Sequence, residues 1–266
     1  MLGQKKLPKE KKPFPWRRFL WIAGILAVIV AVVLVTRIPK LQIQTIDVVG
    51  TTAVNPDDVS AFIKRQIKGE YLFVIPKGSM LTVATSTIST TVAHAFPRFS
   101  SVRVSRRGIN GLLVTVTEHA TEYLWCEQEN SCFSMTKEGV VYAPASQFSG
   151  DAYLKLFGGE KGSIPFSPFS QDKLSVVATL LDRLPAIDIK PTEIHFISDY
   201  EFDVVFSHNG ADAMLMFDPG NDIEVSLEAL YSGLKTDPLA SDFDNQKKTL
   251  QYIDLRFPNK VVYKFN

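Results

Sequence analysis

The sequence predicts an α+β protein in three successive parts: an apolar N-terminal helix, a β-α-α-β-β segment, and a mixed, β-rich domain ending in an edge strand. Three observations predict it. Phe19 to Val35 is a run of 17 residues without a charge or a strong polar group. Leu41 to Glu118 shows strand alternation at both ends and helical periodicity between them. From Tyr123 to Phe265, short alternating segments recur between turn signals, with helical patterns set among them. The expected bounds are 1–18 for a basic tail, 19–36 for the apolar helix, 37–119 for the first folded segment and 120–266 for the second.

The apolar run is read as a single transmembrane helix. At 1.5 Å per residue it gives roughly 25 Å of helix, near the short end of what spans a bilayer. Twelve of its residues are Leu, Ile, Val or Phe, together worth roughly 4–7 kcal/mol of insertion energy. Lys5, Lys6, Lys9, Lys11, Lys12, Arg17 and Arg18 precede it, against Glu10 alone. Basic flanks stay in the cytoplasm, so Arg17 and Arg18 mark topology: the tail is expected inside and residues 37–266 outside, in an inner-membrane, single-pass arrangement. A cleaved signal peptide fits less well, because Thr36-Arg37-Ile38-Pro39 is not a small-x-small site. Trp16 and Trp21 suit a headgroup layer.

The net charge of +1 argues against a nucleic-acid partner, which needs a concentrated basic face. Cys126 and Cys132 are the two cysteines. On an oxidising side of the membrane they read as a disulfide closing a short loop. Two free thiols, or half of a metal site, are the alternatives.

In chain order, Leu41–Val49 is a strand whose apolar phase switches, which marks a bulge or a late start. Asn55 caps a helix with Pro56 at its first position and Asp57 and Asp58 in its first turn; Val59, Phe62, Ile63 and Ile67 form its apolar face. Tyr71–Ile75 is an apolar connector. A second helix is expected from Ser79 to Ala95, although Thr and Ser in its middle are poor helix formers. Phe99–Arg106 and Leu112–Glu118 alternate as strands about Gly108–Gly111. Further strands are expected at Tyr123–Cys126, Phe133–Met135, Val140–Tyr142 and Tyr153–Phe157. Gln171–Leu184 is a helix with Leu174, Val177, Ala178 and Leu181 inward. Glu193–Ile197, Phe202–Phe206 and Ala213–Phe217 are strands, the last two joined at Asn209-Gly210, a strong hairpin signal. Asp222–Leu234 is a helix with Ile223, Leu227, Leu230 and Leu234 inward. Tyr252–Phe257 and Lys260–Phe265 are the last two strands, with Ile253, Leu255 and Phe257 on one face and Asp254 and Arg256 on the other.

Ile46-Asp47-Val48-Val49-Gly50, the two helices, the Phe96-Pro97 break, VRVSRR and LLVTVTE together resemble a POTRA domain. Following a basic tail and an apolar helix, and followed by DLRF and a closing strand, that order is similar to the FtsQ/DivIB family of bacterial cell-division proteins. Glu118-His119-Ala120 lacks the family's usual proline, and Thr136–Tyr142 resembles its next hairpin without the usual Asp. The resemblance implies a non-enzymatic scaffold at the division septum, recruiting other bitopic division proteins of the FtsB/FtsL (DivIC/FtsL) type.

No zinc-protease, nucleophile-elbow or phosphate-loop motif stands in the sequence. Gly158–Ser163 reads as a flexible loop, and His94, His119, His195 and His208 as surface or turn residues. Asp218, Asn221, Asp222 and Glu224 read as a turn and an acidic helix start, not a calcium loop. No catalytic residue, metal, cofactor or small-molecule substrate is expected; a membrane-anchored enzyme acting on the cell wall is the alternative. The final strand is the expected partner site. Its edge offers backbone groups to an added strand through Val261, Val262, Tyr263, Lys264 and Phe265. The resemblance agrees, since the family's small coiled-coil partner docks on the C-terminal part of the β-domain. Val261, Tyr263 and Phe265 share one face and Val262 and Lys264 the other; which face packs inward is open.

Overall fold

The computed structural model describes residues 16–71, 74–145, 152–199, 201–218, 222–257 and 260–266. These divide into two compact units: residues up to Ala95 with Ser101–Thr117, and Phe96–Ser100 with Glu118–Asn266. The basic residues from Lys5 to Lys12, Leu72, Phe73, Asn221 and the Pro258-Asn259 turn lie outside the described residues.

The first unit begins with α1 (Trp16–Thr36). The reading of this helix as a membrane span is corrected, because among the described residues no helix is long and apolar enough to cross a membrane. The physical reason is length. The helix opens on Trp16, Arg17 and Arg18, so its uninterrupted apolar run is the 17 residues Phe19–Val35. That run measures about 25 Å, short of a hydrocarbon core of about 30 Å. The topological role of Arg17 and Arg18 presupposes the span and falls with it; their side chains lie outside the described residues. Thr36 ends α1, its hydroxyl donating to the Val33 carbonyl at 2.8 Å while its own carbonyl accepts from the Gln42 side chain at 2.7 Å.

Beyond α1 the elements follow as β1 (Thr45–Val49), α2 (Pro56–Gln66), the two-residue strands β2 (Glu70–Tyr71) and β3 (Ile75–Pro76), α3 (Thr85–Ala95), β4 (Phe99–Arg107) and β5 (Gly111–Glu118). The phase switch in the first strand resolves as a late start: Pro39–Leu41 is a 3-10 turn, and pairing begins at Thr45. Asn55 caps α2 by accepting the Asp57 N–H at 3.0 Å, and Val59 and Ile63 are its buried residues. The second helix starts later than its periodicity suggests. Ser79 bridges to Gln42, residues 80–82 form a turn, and only from Thr85 does the chain become helical. The sheet order is β1-β5-β4, with β1 parallel to β5. Gly50 ends β1 at φ +93°, where a Cβ would strike the Val116 carbonyl oxygen.

The second unit is one mixed sheet with helices. It holds β6 (Tyr123–Gln128), β7 (Ser131–Met135), β8 (Val141–Pro144), β9 (Leu154–Phe157), α4 (Gln171–Arg183), β10 (Pro191–Phe196), β11 (Phe202–His208), β12 (Ala211–Phe217), α5 (Ile223–Gly233), α6 (Leu239–Phe243), β13 (Leu250–Asp254) and β14 (Val262–Phe265). The nine strands run β14-β13-β12-β11-β10-β9-β6-β7-β8. The β11–β12 hairpin turns at Asn209 and Gly210 with φ of +52° and +80°, the left-handed pair that a two-residue turn of this kind requires.

The hydrophobic core takes residues from every strand between β6 and β13, together with Leu174, Val177, Leu180 and Leu184 around α4 and Leu227 and Leu230 of α5. The inward face of α4 is thus corrected by part of a turn: Ala178 is exposed, Leu181 half-buried, and Leu180 buried. Ser170 and Asp222 cap α4 and α5, their side chains accepting from the N–H groups of Lys173 and Glu224. In β13 the expected faces also change: Phe257 is exposed beyond the strand, and Asp254 is buried.

Candidate partner-binding edge

Strand register assembles the site residue by residue. Facing the core, Leu156, Ile194, Val204, Leu215, Ile253 and Tyr263 align in one row across β9, β10, β11, β12, β13 and β14. The first five are fully buried; Tyr263 ends the row half-buried, because no strand lies beyond it among the described residues. Val261 and Phe265 pack against the same core. The open choice of face is therefore settled: Val261, Tyr263 and Phe265 turn inward, and Val262 and Lys264 turn to the other face. His208 supports this arrangement from beneath. Its Nε2 donates to the Phe243 carbonyl at 3.0 Å and its Nδ1 accepts the Leu250 N–H at 3.3 Å. A carbonyl only accepts and an N–H only donates, so the ring carries its proton on Nε2 and ties the start of β13 to α6.

Two rows cross the opposite face. One runs Lys155, Glu193, Val205, Met214, Tyr252, Lys264; the other runs Phe157, His195, Asp203, Met216, Asp254, Val262. Several of the charges in these rows are paired. Glu193 receives Lys155 at 3.2 Å and the His195 ring at 2.9 Å, and that ring stacks on Phe157 with centroids 4.3 Å apart. Burial pushes the Glu193 carboxyl up, but those two hydrogen bonds outweigh it and the net shift is downward. Asp254 is held by a two-pronged contact from Arg256, Nε at 2.9 Å and Nη2 at 2.8 Å, with the Arg256 N–H adding a third bond. The guanidinium bonds hold this carboxyl below its ordinary range despite its burial. Asp203 goes the other way: burial raises it, partly offset by Arg256 and His195. Lys264 is exposed at the end of its row, with no carboxylate in ion-pair range among the described residues.

The other edge of the sheet differs. Val141 of β8 donates to the Phe166 carbonyl at 2.8 Å and accepts the Phe166 N–H at 3.2 Å, so the loop after β9 closes it. On the next two strands inward, Cys126 of β6 and Cys132 of β7 stand opposite one another and are joined by a disulfide. Trp125 donates to the Gly158 carbonyl at 2.8 Å, anchoring the start of that loop.

Of the residues singled out from the sequence, Val262 to Phe265 come together as one edge strand, Val261 lies just before its start and packs on the core, and the two cysteines form one pair. The histidines do not converge: His94 is exposed at the end of α3, His119 leans on Tyr142, His195 lies on the open sheet face and His208 is buried. Among the described residues no group of three His, Cys, Asp or Glu is placed to hold a metal ion. The sequence reading missed His208 as the brace of β13, the Asp254–Arg256 fork and the two open-face rows. Alternation within each strand carried a signal for the rows, but their alignment depends on the order of strands. No protein-family model matches the chain, and no curated protein matches it in sequence.

Proposed function

We propose that this chain is a non-enzymatic scaffold of bacterial cell division, acting as proteins of the FtsQ/DivIB type do. In this reading it recruits division proteins of the FtsB/FtsL type by accepting an extended segment of theirs alongside β14. One observation carries it: the nine-stranded sheet ends at β14, which pairs with β13 on one side and has no strand on its other side among the described residues, while the core row behind it stops half-covered at Tyr263. An added strand satisfies both needs, taking up backbone N–H and C=O groups and covering the outer flanks of Tyr263 and Phe265. The Cys126–Cys132 disulfide supports placing this unit on an oxidising side of the cell envelope.

The reading is tested by depletion combined with crosslinking. Cells depleted of the chain are expected to grow without dividing, and a fluorescent fusion to gather at the division septum. A photo-reactive residue at Lys264 is expected to crosslink a division protein there, while one at Asp172, exposed on α4, is not. Normal division on depletion, with the fusion spread evenly, would sink the proposal.

A further inference from the structure

We infer that the segment accepted by β14 is read for an apolar–acid–apolar alternation, with the carboxylate opposite Lys264 and the two apolar residues opposite Tyr263 and Phe265. This rests on the strand-addition reading and adds the chemistry of the partner. In a ladder, residues directly opposite share a face, with Cβ atoms roughly 4.5–5.5 Å apart. The partner residue opposite Lys264 therefore lies on the open face, at the end of the Met214–Tyr252–Lys264 row. Its neighbour across β13 is Tyr252, which carries no carboxylate, so the ammonium of Lys264 is left to meet a charge on the incoming strand.

The residues on either side of that acid point to the core face. There they meet Tyr263 and Phe265, which are packed against the core on their inner flank and only half-buried. Apolar side chains at those two positions continue the core by one further strand. Apolar–acid–apolar reads the same in both directions, so the requirement holds for parallel and antiparallel addition alike. The same geometry disfavours a second copy of this chain: pairing Tyr263-Lys264-Phe265 with itself in that register sets Lys264 against Lys264, and like charges directly opposite are destabilising.

The experiment uses the full chain and three synthetic nine-residue peptides of sequence Ser-Val-Thr-Val-X-Val-Thr-Val-Ser, with X as Glu, Thr or Lys, followed by fluorescence anisotropy. The Glu peptide is expected to bind about fivefold more tightly than the Lys peptide, the Thr peptide falling between, as a cross-strand ion pair gives. Lys264→Glu is expected to reverse that order and Lys264→Gln to flatten it. Raising the ionic strength should shrink the preference, because the pair is exposed. Equal binding of all three peptides overturns the acid requirement while leaving strand addition standing. Absence of capture of any peptide at millimolar concentration counts against strand addition itself. Growth of a dimer with protein concentration, seen by sedimentation and strengthened in Lys264→Gln, overturns the partner assignment in favour of a second copy.

Discussion

The two edges of the nine-stranded sheet meet the same hazard in opposite ways. At β8, Val141, Tyr142 and Ala143 are buried and Val141 has both backbone groups bonded to Phe166. At β14, Val262, Tyr263 and Phe265 are half-buried, Lys264 is exposed, and no strand lies outside it among the described residues. An exposed edge invites uncontrolled pairing, and covering it with a loop is one of the ordinary remedies. Among the described residues that remedy is seen at β8. The Gly158-Gly159 turn makes it geometrically possible: both residues have positive φ, and a Cβ on Gly159 would strike the Pro168 carbonyl oxygen. The glycines thus fold the loop back on itself, with Glu160 N–H bonded to Pro168 O at 3.0 Å, and return Phe166 to β8. At β14, the exposed Lys264 is of the residue type by which sheet edges are commonly protected.

The largest effect that breaks this contrast is expected at the closed edge. Val141→Pro removes a buried donor whose acceptor is the Phe166 carbonyl, a loss of about 3 kcal/mol, read as a lower midpoint in urea unfolding. A variant as stable as the parent would show that the Phe166 contact does not hold the edge.

At the open edge the expected loss is of binding. Successive residues in a strand aim their N–H groups at opposite neighbours. Of Val262 and Tyr263, therefore, one donates to β13 and the other points outward. The two single proline variants should part company: one loses stability, and the other keeps its stability and loses capture of the Glu-centred peptide by at least tenfold. If both retain the fold by circular dichroism and both bind as before, β14 is not the site.

An intermediate effect separates fold from function. Replacing Cys126 and Cys132 together by serine removes a crosslink closing a short loop, worth about 2 kcal/mol on the chain-entropy estimate. The disulfide lies on the β8 side of the sheet. Stability should fall while peptide binding at β14 stays within twofold, and a parallel loss of binding would mean that the two edges are coupled.

How much of this was legible in the sequence follows from the range of each signal. Capping and alternation act over a few residues, so Asn55 and Asp222 announce helix starts, and all nine strands of the sheet leave a periodic trace. The Asn209-Gly210 turn is equally local. Strand order is not local: β9 enters between β6 and β10, and only that insertion aligns Lys155 with Glu193. Phe166 on β8 and His208 beneath β13 depend on contacts between residues distant in the chain. Asp254 followed two positions later by Arg256 looks like an exposed alternating pair, and its burial comes from the sheet that ends around it. The apolar run of α1 differs in kind, being a quantity near its threshold: its 17 residues give about 25 Å of helix, which falls short of about 30 Å of hydrocarbon.

The smallest expected effects lie on the open face, where two carboxylates in one row, Asp203 and Asp254, titrate in opposite senses. The fold depresses Asp254 through Arg256, so its ionised form stabilises the native state. That contribution is full above an ordinary carboxylate pKa of about 3.9 and is lost as the pH falls through the lower folded value. Asp254→Asn should therefore cost about 1–2 kcal/mol near neutrality, and the gap from the parent should narrow as the pH drops from 5 to 3. Burial raises Asp203, so its ionised form works against folding above the raised value and is neutral in effect well below 3.9. Asp203→Asn should leave stability unchanged at pH 3 and raise it slightly at pH 7, by no more than about 0.5 kcal/mol. Asp254 stands directly opposite Val262, so its loss should also speed amide exchange along β14, whereas the Asp203 variant should leave that exchange as it was. Equal exchange in both variants would mean that the Asp254–Arg256 fork stabilises the end of β13 without setting the edge, and that the order of β14 comes from Tyr263 and Phe265 alone.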